Sequence, residues 1–413
     1  MTAGRATNGT AIVVGAGIGG MAAGIQLRKL GYRVSILEQA PSLGEIGAGI
    51  QLAPNATRVL EDLGIIKHLK PFAVVPESVV WRRWFDGKCL AEDKLGEETR
   101  AEFGTPYWHV HRADLHRALV AAAEDEGTSS DRIQVVLDQH VTHLVSEGED
   151  RVTVGTSDGH EYTADFLIGA DGIHSEVRGW LGPDEEKVHS GDSAFRALVA
   201  AEKVKASRRL AELLDRPMTT LWVGPGRHVV HYEVRDRSLI NIVAFVNTKD
   251  LAAESWLVSA EAAEMVEAFD GWDERLLELF SLAESVRYSG VYDRRPLDRW
   301  VRRRIALLGD ACHAMLPYRA QGAAQALEDV AALGRLLQDA EADDVPDRLR
   351  EYEAVRKPVA SAVQASSREA QASLHLNDGD DQRERDERLG VSPQDDAYER
   401  YRWIWTPDKG NVT

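Results

Sequence analysis

The segment AIVVGAGIGGMAAGIQL, residues 11–27, constrains the fold of this chain more than any other. Its first residues have the composition of a buried strand, and residues 18–30 have the spacing of an amphipathic helix. A second predicted strand, YRVSILEQ, ends near Glu38. Strand, glycine turn, helix and strand within about thirty residues form a βαβ unit, from which parallel α/β sheets are built.

The turn of this unit contains Gly15, Gly17 and Gly20 in G-x-G-x-x-G spacing. In a dinucleotide-binding turn, the first glycine permits the tight turn, the second admits a pyrophosphate, and the third lets helix pack on strand. The phosphates then face the N–H groups and the positive dipole end of the helix. A βα turn without a ligand can show the same glycines. Glu38 favours the dinucleotide interpretation, because a carboxylate there binds ribose hydroxyls and disfavours a 2′-phosphate.

The charge balance and the cysteine count exclude several classes of protein. The chain has 413 residues and a formal net charge of −18, which argues against nucleic acid as a partner, because phosphate backbones need a basic stripe. Cys89 and Cys312 are far apart, so neither a disulfide framework nor a metal site is predicted. No segment reaches the ~20 apolar residues of a membrane span. We therefore expect a cytoplasmic protein with two domains, or one domain with a large insertion.

A second motif, IGADGIHSEVR, occupies residues 168–178. It places Asp171 and Gly172 where a predicted strand turns into a helix. Taken alone, it is most simply a solvent-facing turn in which Ser175 starts the helix.

A third motif, LLGDACHAMLPYRAQGAAQALEDVAALG, occupies residues 307–334. Gly309 and Asp310 end a predicted strand, and a helix begins near Gly322. An acid at a strand end is suited to a ribose or ribityl hydroxyl. A helix that opens on glycine is suited to the electron-rich edge of an isoalloxazine ring, because its dipole would stabilise the anion formed on reduction.

The rest of the chain divides by composition. Residues 190–250 alternate β-branched and aromatic residues between turn signals, which predicts an antiparallel sheet. Residues 55–70 are predicted to be helical, with Asn55 as the cap and Gly64 as a stop. From residue 345 onward the chain is helical, charged and rich in alanine. The tryptophan-rich pieces WRRWF and WIW are interpreted as core or interface.

Together, the three motifs resemble in order and spread the single-component FAD-dependent aromatic hydroxylases of the p-hydroxybenzoate hydroxylase type. The resemblance covers nearly the whole chain and includes HRADLHRAL. It implies a Rossmann-like α/β FAD-binding domain of the GR2 type with a mostly parallel sheet, an inserted antiparallel-sheet substrate domain, and C-terminal helices. The implied FAD-binding domain comprises residues 1–75, 101–185 and 286–345, the substrate-binding domain residues 76–100 and 186–285, and the helical region residues 346–413.

The resemblance also implies a set of cofactor-binding residues. In the family, the arginine of HRADLHRAL lies along the cofactor, and the start of the QGAAQALED helix lies beside the flavin ring. The residues implied to bind FAD are Gly15, Gly17, Gly20, Glu38, Arg112, Asp171, Gly172, Gly309, Asp310, Gly322 and Ala323.

Within the family, the chain is most similar to 3-hydroxybenzoate 6-hydroxylase and salicylate hydroxylase. GEIGAGIQLAPNATRVLEDLG resembles both, whereas GPGRHVVHYEV and YRWIW resemble the former. This similarity implies His228 and Tyr232 as catalytic residues, and Pro317 and Gln321 as substrate-pocket residues. Pro317 replaces the pocket glutamine of the 3-hydroxybenzoate enzyme and is more typical of the hydroxynicotinate and salicylate enzymes.

The implied reaction is hydroxylation of a small phenolic acid by O₂ through a flavin C4a-hydroperoxide, with NADH or NADPH as transient electron donor. A base near the phenol is useful because a phenolate attacks far better than a phenol. His228 and Tyr232 share one strand face, and His231 and Glu233 share the other. His313 is expected to order the third motif rather than to react.

Three alternatives remain open at this point: a decarboxylative salicylate or 6-hydroxynicotinate type of hydroxylase, a flavin oxidoreductase that inserts no oxygen, and a non-enzymatic flavin sensor. A homodimer is a further expectation.

Overall fold

The computed structural model describes residues 8–44, 47–125, 133–183, 186–248, 259–391 and 401–406. The strands are β1 Thr10–Val14, β2 Arg33–Leu37, β3 Gly49–Leu52, β4 Ser78–Arg83, β5 Cys89–Lys94, β6 Trp108–His111, β7 Gln134–Val136, β8 Val141–Glu147, β9 Val152–Thr156, β10 Glu161–Ala164, β11 Phe166–Gly169, β12 Val188–Ala200, β13 Met218–Gly224, β14 Arg227–Val234, β15 Leu239–Asn247, β16 Ser259–Ala260, β17 Val286–Asp293, β18 Val301–Arg302 and β19 Ile305–Leu307.

The α-helices are α1 Ile18–Lys29, α2 Pro54–Asp62, α3 Ile66–Leu69, α4 Glu97–Phe103, α5 Arg112–Asp125, α6 Glu176–Leu181, α7 Ala201–Ala206, α8 Ala262–Ala268, α9 Glu274–Ser281, α10 Asp310–His313, α11 Gly322–Leu336, α12 Val345–Leu374 and α13 Asp380–Val391. Short 3-10 turns occupy Lys70–Phe72, Ala211–Leu214 and Pro317–Arg319.

A six-stranded sheet carries the first motif. Its order is β18-β19-β11-β1-β2-β7, and every pair except β18 with β19 is parallel. The central strands are runs of valine, isoleucine and leucine, because parallel strands are covered on both faces. β1, α1 and β2 form the predicted βαβ unit, and the predicted α/β fold class is confirmed.

An eight-stranded sheet forms the second large layer, in the order β16-β17-β12-β15-β14-β13-β4-β5. Its pairs are antiparallel except β13 with β4, which run parallel. Trp222, Phe269 and Phe280 belong to a hydrophobic core of its own, whereas Ile12 and Leu167 belong to the core of the six-stranded sheet. The predicted domain boundaries stay a prediction.

The structure corrects the prediction that Asn55 caps a helix. Helix α2 begins at Pro54, with Ala53 as its N-cap, since proline is favoured at the first helical position, where its missing N–H is not needed. Asn55 is instead buried inside the helix, and its Nδ2 donates to Gln321 Oε1 at 3.0 Å. Tertiary contact therefore determines the role of this side chain.

Two further predictions, on the C-terminal helices and on membrane spans, can be compared with the structure. Residues 380–391, which belong to the C-terminal part predicted to be helical and charged, form helix α13. Across the described ranges, no helix has both the length and the apolar character that crossing a bilayer requires.

A buried ion pair joins the third motif to the C-terminal helices. Asp329 of α11 accepts hydrogen bonds from Gly309 N at 3.0 Å and from Arg356 Nε of α12 at 2.8 Å. Its Oδ2 also lies 2.6 Å from His313 Nε2. Burial raises the pKa of Asp329, but His313 and Arg356 outweigh burial and lower the pKa overall. Cys312 lies beside the Asp329 carboxylate. The negative charge of that carboxylate is balanced by Arg356.

We expect Arg356→Met to destabilise the protein by about 3–5 kcal/mol, because it leaves a buried carboxylate without its cation. Urea unfolding and calorimetry measure the loss. Arg350→Met is the matched control, since Arg350 pairs with Asp347 on the exposed side of the same helix and exposed pairs contribute little. Equal stability of the two variants would show that the buried pair does not hold the fold.

Candidate active site

The first and second motifs meet at the carboxyl ends of β1 and β11. Gly15 has φ +96°, and a Cβ there would lie 2.6 Å from the Ala170 carbonyl oxygen. A Cβ at Gly20 would lie 1.9 Å from the Gly15 carbonyl oxygen. Only glycine fits at these two positions. No atom lies within 4 Å of a Cβ placed on Gly17, so the backbone there is open to a ligand.

The third motif adjoins the same helix. A Cβ on Gly19 would lie 2.7 Å from Leu308 Cδ2, and one on Gly309 would lie 3.1 Å from Ala326 Cβ. The start of α1, the end of β19 and helix α11 are therefore packed together. Asp310 follows this turn with an exposed side chain. The three motifs, each more than a hundred residues from the next, converge at one edge of the parallel sheet.

Glu38 stands at the end of β2, beside the glycine turn. Its Oε2 accepts from Ala16 N at 2.7 Å, and its Oε1 accepts from Ala40 N at 2.9 Å. His116 Nε2 contacts the Ala16 carbonyl oxygen at 2.7 Å. Sequence reasoning missed His116, although it lies four residues after Arg112 and therefore on the same face of α5. Arg112 is exposed at the start of that helix.

The residues present fit a flavin dinucleotide. Neither α1 nor α11 has a side-chain cap at its N-terminus, so the first N–H groups of both helices are available. A Cβ on Gly322 would have the Asp310 carboxylate, at 3.9 Å, as its only neighbour, so Gly322 and Ala323 begin α11 in open space. Within the described residues, the Asp310 carboxylate has no hydrogen-bond partner, as suits a group that binds ligand hydroxyls.

The second motif has a structural role of its own. Asp171 Oδ2 accepts from Glu176 N at 2.9 Å and from Val177 N at 3.2 Å. Ser175 Oγ accepts from Arg178 N at 3.0 Å, so Ser175 starts α6 as predicted. Burial raises the pKa of Asp171. Contact of Asp171 and Gly172 with the cofactor stays a prediction.

A cavity of about 380 Å³ lies between the eight-stranded sheet and residues 317–321. Its volume is that of a small-molecule site. Three predicted residues, His228, Pro317 and Gln321, line it. Helix α13 and residues 401–405 contribute to its wall, so Trp405 lines the cavity as well as packing in a core cluster. Other lining residues are Tyr107, Leu221, Phe245, Tyr318 and Arg319.

His228 is the buried imidazole of this cavity. Its ring stacks on Phe245 with centroids 4.3 Å apart, and its Nδ1 lies 2.6 Å from His375 Nε2. Burial, and secondarily the charge of His375, lower the pKa of His228 well below its ordinary value. His228 is therefore neutral near pH 7 and able to accept a proton.

The structure does not bring Tyr232 to the cavity with His228. Tyr232 lies on the same face of β14 but is not among the lining residues of the described chain. Its ring packs against His109, with centroids 4.5 Å apart. Burial raises its pKa, and a hydrogen bond with Gln51 opposes that shift. This placement gives no support to a catalytic role for Tyr232, which stays a prediction.

Gln321 lines the cavity, but its side chain is engaged with the protein. Its Oε1 accepts from Asn55 Nδ2 at 3.0 Å and from Gln325 Nε2 at 3.3 Å. These bonds fix the residue that precedes α11, so Gln321 shapes the cavity rather than offering its amide oxygen to a ligand.

Arg319 is a cavity residue that sequence reasoning missed. Its Nε is buried and has no hydrogen-bond partner in the part of the chain that the structure describes. Its guanidinium carbon lies 5.7 Å from the centroid of the Tyr401 ring. The signal was an arginine within the otherwise uncharged run LPYRAQG, which an anionic ligand would explain.

Comparison with known proteins extends these observations. A family model described as the FAD binding domain matches residues 9–367. The chain is 36% identical over 393 residues to 3-amino-4-hydroxybenzoate 2-monooxygenase PtmB3 of Streptomyces platensis, across 95% of this chain and 94% of that protein. It is 34% identical over 394 residues to 3-hydroxybenzoate 6-hydroxylase 1 of Aquipseudomonas alcaligenes, across 95% of this chain and 96% of that protein. A salicylate hydroxylase substrate complex superposes with a TM-score of 0.80 at 28% identity, covering 97% and 95% of the two chains.

These matches confirm the predicted family, the predicted cofactor FAD, and the prediction that the protein is a monooxygenase. The family model spans all three motifs, and both relatives align over nearly their whole length. The chain therefore belongs to the FAD-dependent aromatic hydroxylases of the p-hydroxybenzoate hydroxylase type.

Proposed function

We propose that this enzyme hydroxylates a small phenolic acid, with NADH or NADPH as electron donor and O₂ as the second substrate. The observation that carries the proposal is the cavity. A neutral buried imidazole lines it together with an arginine whose buried Nε has no partner among the described residues. The names of the two relatives and of the superposed structure support it, since each concerns a hydroxylated aromatic acid.

The converging motifs are proposed to hold the cofactor. Glu38 would accept hydroxyls of the adenosine ribose, and the backbone at Gly17 would meet the pyrophosphate at the start of α1. Asp310 would accept ribityl hydroxyls. The free N–H groups of Gly322 and Ala323 would face the electron-rich edge of the ring. When bound, FAD supplies electron transfer from the nicotinamide and the activation of O₂.

His228 is proposed as the base that accepts the phenol proton. Burial keeps this imidazole neutral, so one of its ring nitrogens carries a lone pair to which a proton can bind. Transfer of the phenol proton to its ring leaves a phenolate, which is the more reactive nucleophile toward an electrophilic oxygen. Phe245 and Leu221 give the same space an apolar lining.

Arg319 is proposed to bind the carboxylate of the acid. A guanidinium matches a carboxylate in shape and charge, and the Arg319 Nε is buried without a partner in the described residues. A carboxylate in the cavity would satisfy this donor. This assignment explains how a chain with a net charge of −18 attracts an anion, because a local cation acts at short range.

Pro317 supports a second candidate, a decarboxylative hydroxylation of the salicylate or 6-hydroxynicotinate type. It lines the cavity at the position where the 3-hydroxybenzoate type is expected to carry glutamine. The position of hydroxylation and the fate of the carboxylate therefore distinguish the two candidates. A homodimer and a cytoplasmic location remain part of the proposal.

The test is a panel of 3-hydroxybenzoate, 3-amino-4-hydroxybenzoate, salicylate and 6-hydroxynicotinate, each incubated with FAD-loaded enzyme, NADH or NADPH, and O₂. We expect at least one acid to stimulate cofactor oxidation and to yield a hydroxylated product, identified by mass spectrometry. Loss of CO₂ would select the decarboxylative candidate. Hydrogen peroxide alone from every acid would contradict the proposal. His228→Gln serves as the control that keeps FAD but loses most of the oxygenated product.

We expect Glu38→Ala to weaken FAD binding roughly 10- to 100-fold, because hydrogen bonds to a charged group contribute about 1.5–3 kcal/mol. Fluorescence titration of the apoprotein with FAD gives the dissociation constant. Glu61→Ala, an exposed site on α2, is the control and should bind FAD normally. Identical affinities in the two variants would remove Glu38 from the proposed site.

We expect Arg319→Gln to raise the dissociation constant of the preferred acid roughly 10- to 100-fold, by the loss of a charge-assisted hydrogen bond. Binding is followed by the change in flavin absorbance. The corresponding phenol, which lacks the carboxylate, should bind both forms equally. Arg388→Gln is the control, because Arg388 also lines the cavity but is largely exposed and lies near Glu384. If acid and phenol weakened together, the anchoring role would be wrong.

A further inference from the structure

His228 contacts a second histidine, which no sequence motif indicated. His375 follows α12, and its side chain is 9% exposed. Its Nε2 lies 2.6 Å from His228 Nδ1. On the other side of the ring, His375 Nδ1 lies 3.5 Å from Oδ2 of Asp192, whose side chain is fully buried. A carboxylate, an imidazole and a second imidazole thus form a continuous row that ends in the cavity.

Asp192 is held in one orientation by neutral donors. Its Oδ2 accepts from Gln371 Nε2 at 2.8 Å and from the Tyr318 hydroxyl, and its Oδ1 accepts from Asn247 Nδ2 at 3.3 Å. None of these donors is charged. Within the row, the group placed to balance the carboxylate is therefore the imidazole of His375.

This arrangement determines which nitrogen of each ring carries a proton. A carboxylate only accepts hydrogen bonds, so Asp192 favours a proton on Nδ1 of His375. Nε2 of His375 is then an acceptor, which requires that Nδ1 of His228 carries the proton. The remaining nitrogen of His228, Nε2, keeps its lone pair. Asp192 therefore holds His228, through His375, in the tautomer that accepts a proton.

We propose that His375 and Asp192 are positioning residues that keep His228 ready to accept the phenol proton and then share that proton. The proposal rests on the proposed function of the cavity. In this step the phenol O–H bond breaks and Nε2 of His228 gains the proton, while the proton on its Nδ1 passes to Nε2 of His375. The products are a phenolate and an imidazolium on His375, which Asp192 faces with its negative charge.

The charges around the row agree with this direction of transfer. Burial lowers the pKa of His375, and Asp192 opposes that shift, so Asp192 favours the protonated ring. Burial and the Asp192 charge both raise the pKa of Tyr318, which keeps this hydroxyl a donor to the carboxylate. The other titratable groups that face the row or line the cavity are Asp293 with Arg368, Asp93 with Lys94, Arg319, Arg385, Arg388, Tyr107 and Tyr401.

The experiment compares His375→Gln and Asp192→Asn with the parent, all loaded with FAD. His189→Gln is the matched control, because His189 is a partly buried histidine on the same strand as Asp192 but packs on Tyr292. The probe is the acid of the four-member panel that gives hydroxylated product, and product formation is measured as a function of pH. A second measurement, by ¹⁵N NMR of histidine-labelled holoenzyme, reads the tautomer of His228 without any substrate.

Both variants should lower product formation at neutral pH by roughly 10- to 100-fold, a part of what a positioned base contributes, with FAD content and flavin reduction unchanged. In Asp192→Asn the acid limb of the pH profile should move to lower pH, because loss of the carboxylate lowers the pKa of His375. His228 should carry its proton on Nδ1 in the parent and in His189→Gln, and lose this preference in His375→Gln.

Two results would overturn the inference. One is an unshifted acid limb in Asp192→Asn, because a merely structural residue would lower the rate without moving the profile. The other is an unchanged His228 tautomer in His375→Gln. If no acid of the panel is hydroxylated, the proposed function fails by itself, and the tautomer measurement still decides whether Asp192 and His375 control His228.

Discussion

The buried pair of Asp329 and Arg356 is the interaction on which the site depends. One carboxylate binds the backbone of Gly309, the ring of His313 and the guanidinium of Arg356. It therefore fixes the turn after β19 against α11 and α12 at once. The start of α11 is proposed to face the flavin ring, and the end of α12 leads to His375. A single buried carboxylate thus joins the elements that lead to the proposed cofactor side and to the substrate side of the enzyme.

The nucleotide-binding half could be predicted because its fold requires particular residue types at particular positions. Gly15 and Gly20 approach backbone atoms too closely for any side chain. The fold therefore requires glycine at both positions, and their spacing can be recognised in the sequence. The buried parallel strands can be recognised equally well, because they are runs of branched apolar residues. His313 was expected to order the third motif, and it contacts Asp329, the carboxylate that also binds the Gly309 backbone of that motif.

The substrate half was harder to predict, because its residues are distant in sequence and come together only in the folded chain. His228 and His375 are 147 residues apart, and neither histidine has a neighbouring pattern that indicates the other. Asn55 was predicted to cap a helix by its type, whereas burial against Gln321 decided its role. Tyr232 follows strand alternation correctly yet lies outside the cavity, because alternation specifies a face of the sheet and not what covers each point of that face.

The wall of the cavity has a further consequence for how such enzymes diversify. The family model ends at residue 367, whereas Leu374, α13 and Trp405 lie beyond it and line the cavity. The three cofactor motifs thus lie wholly inside the matched region, whereas one wall of the cavity comes from the chain beyond it. A change in this C-terminal segment would therefore alter one wall of the cavity and leave the three cofactor motifs untouched. A C-terminal segment that packed poorly would let solvent into the cavity. The reducing equivalents would then yield hydrogen peroxide in place of hydroxylated product.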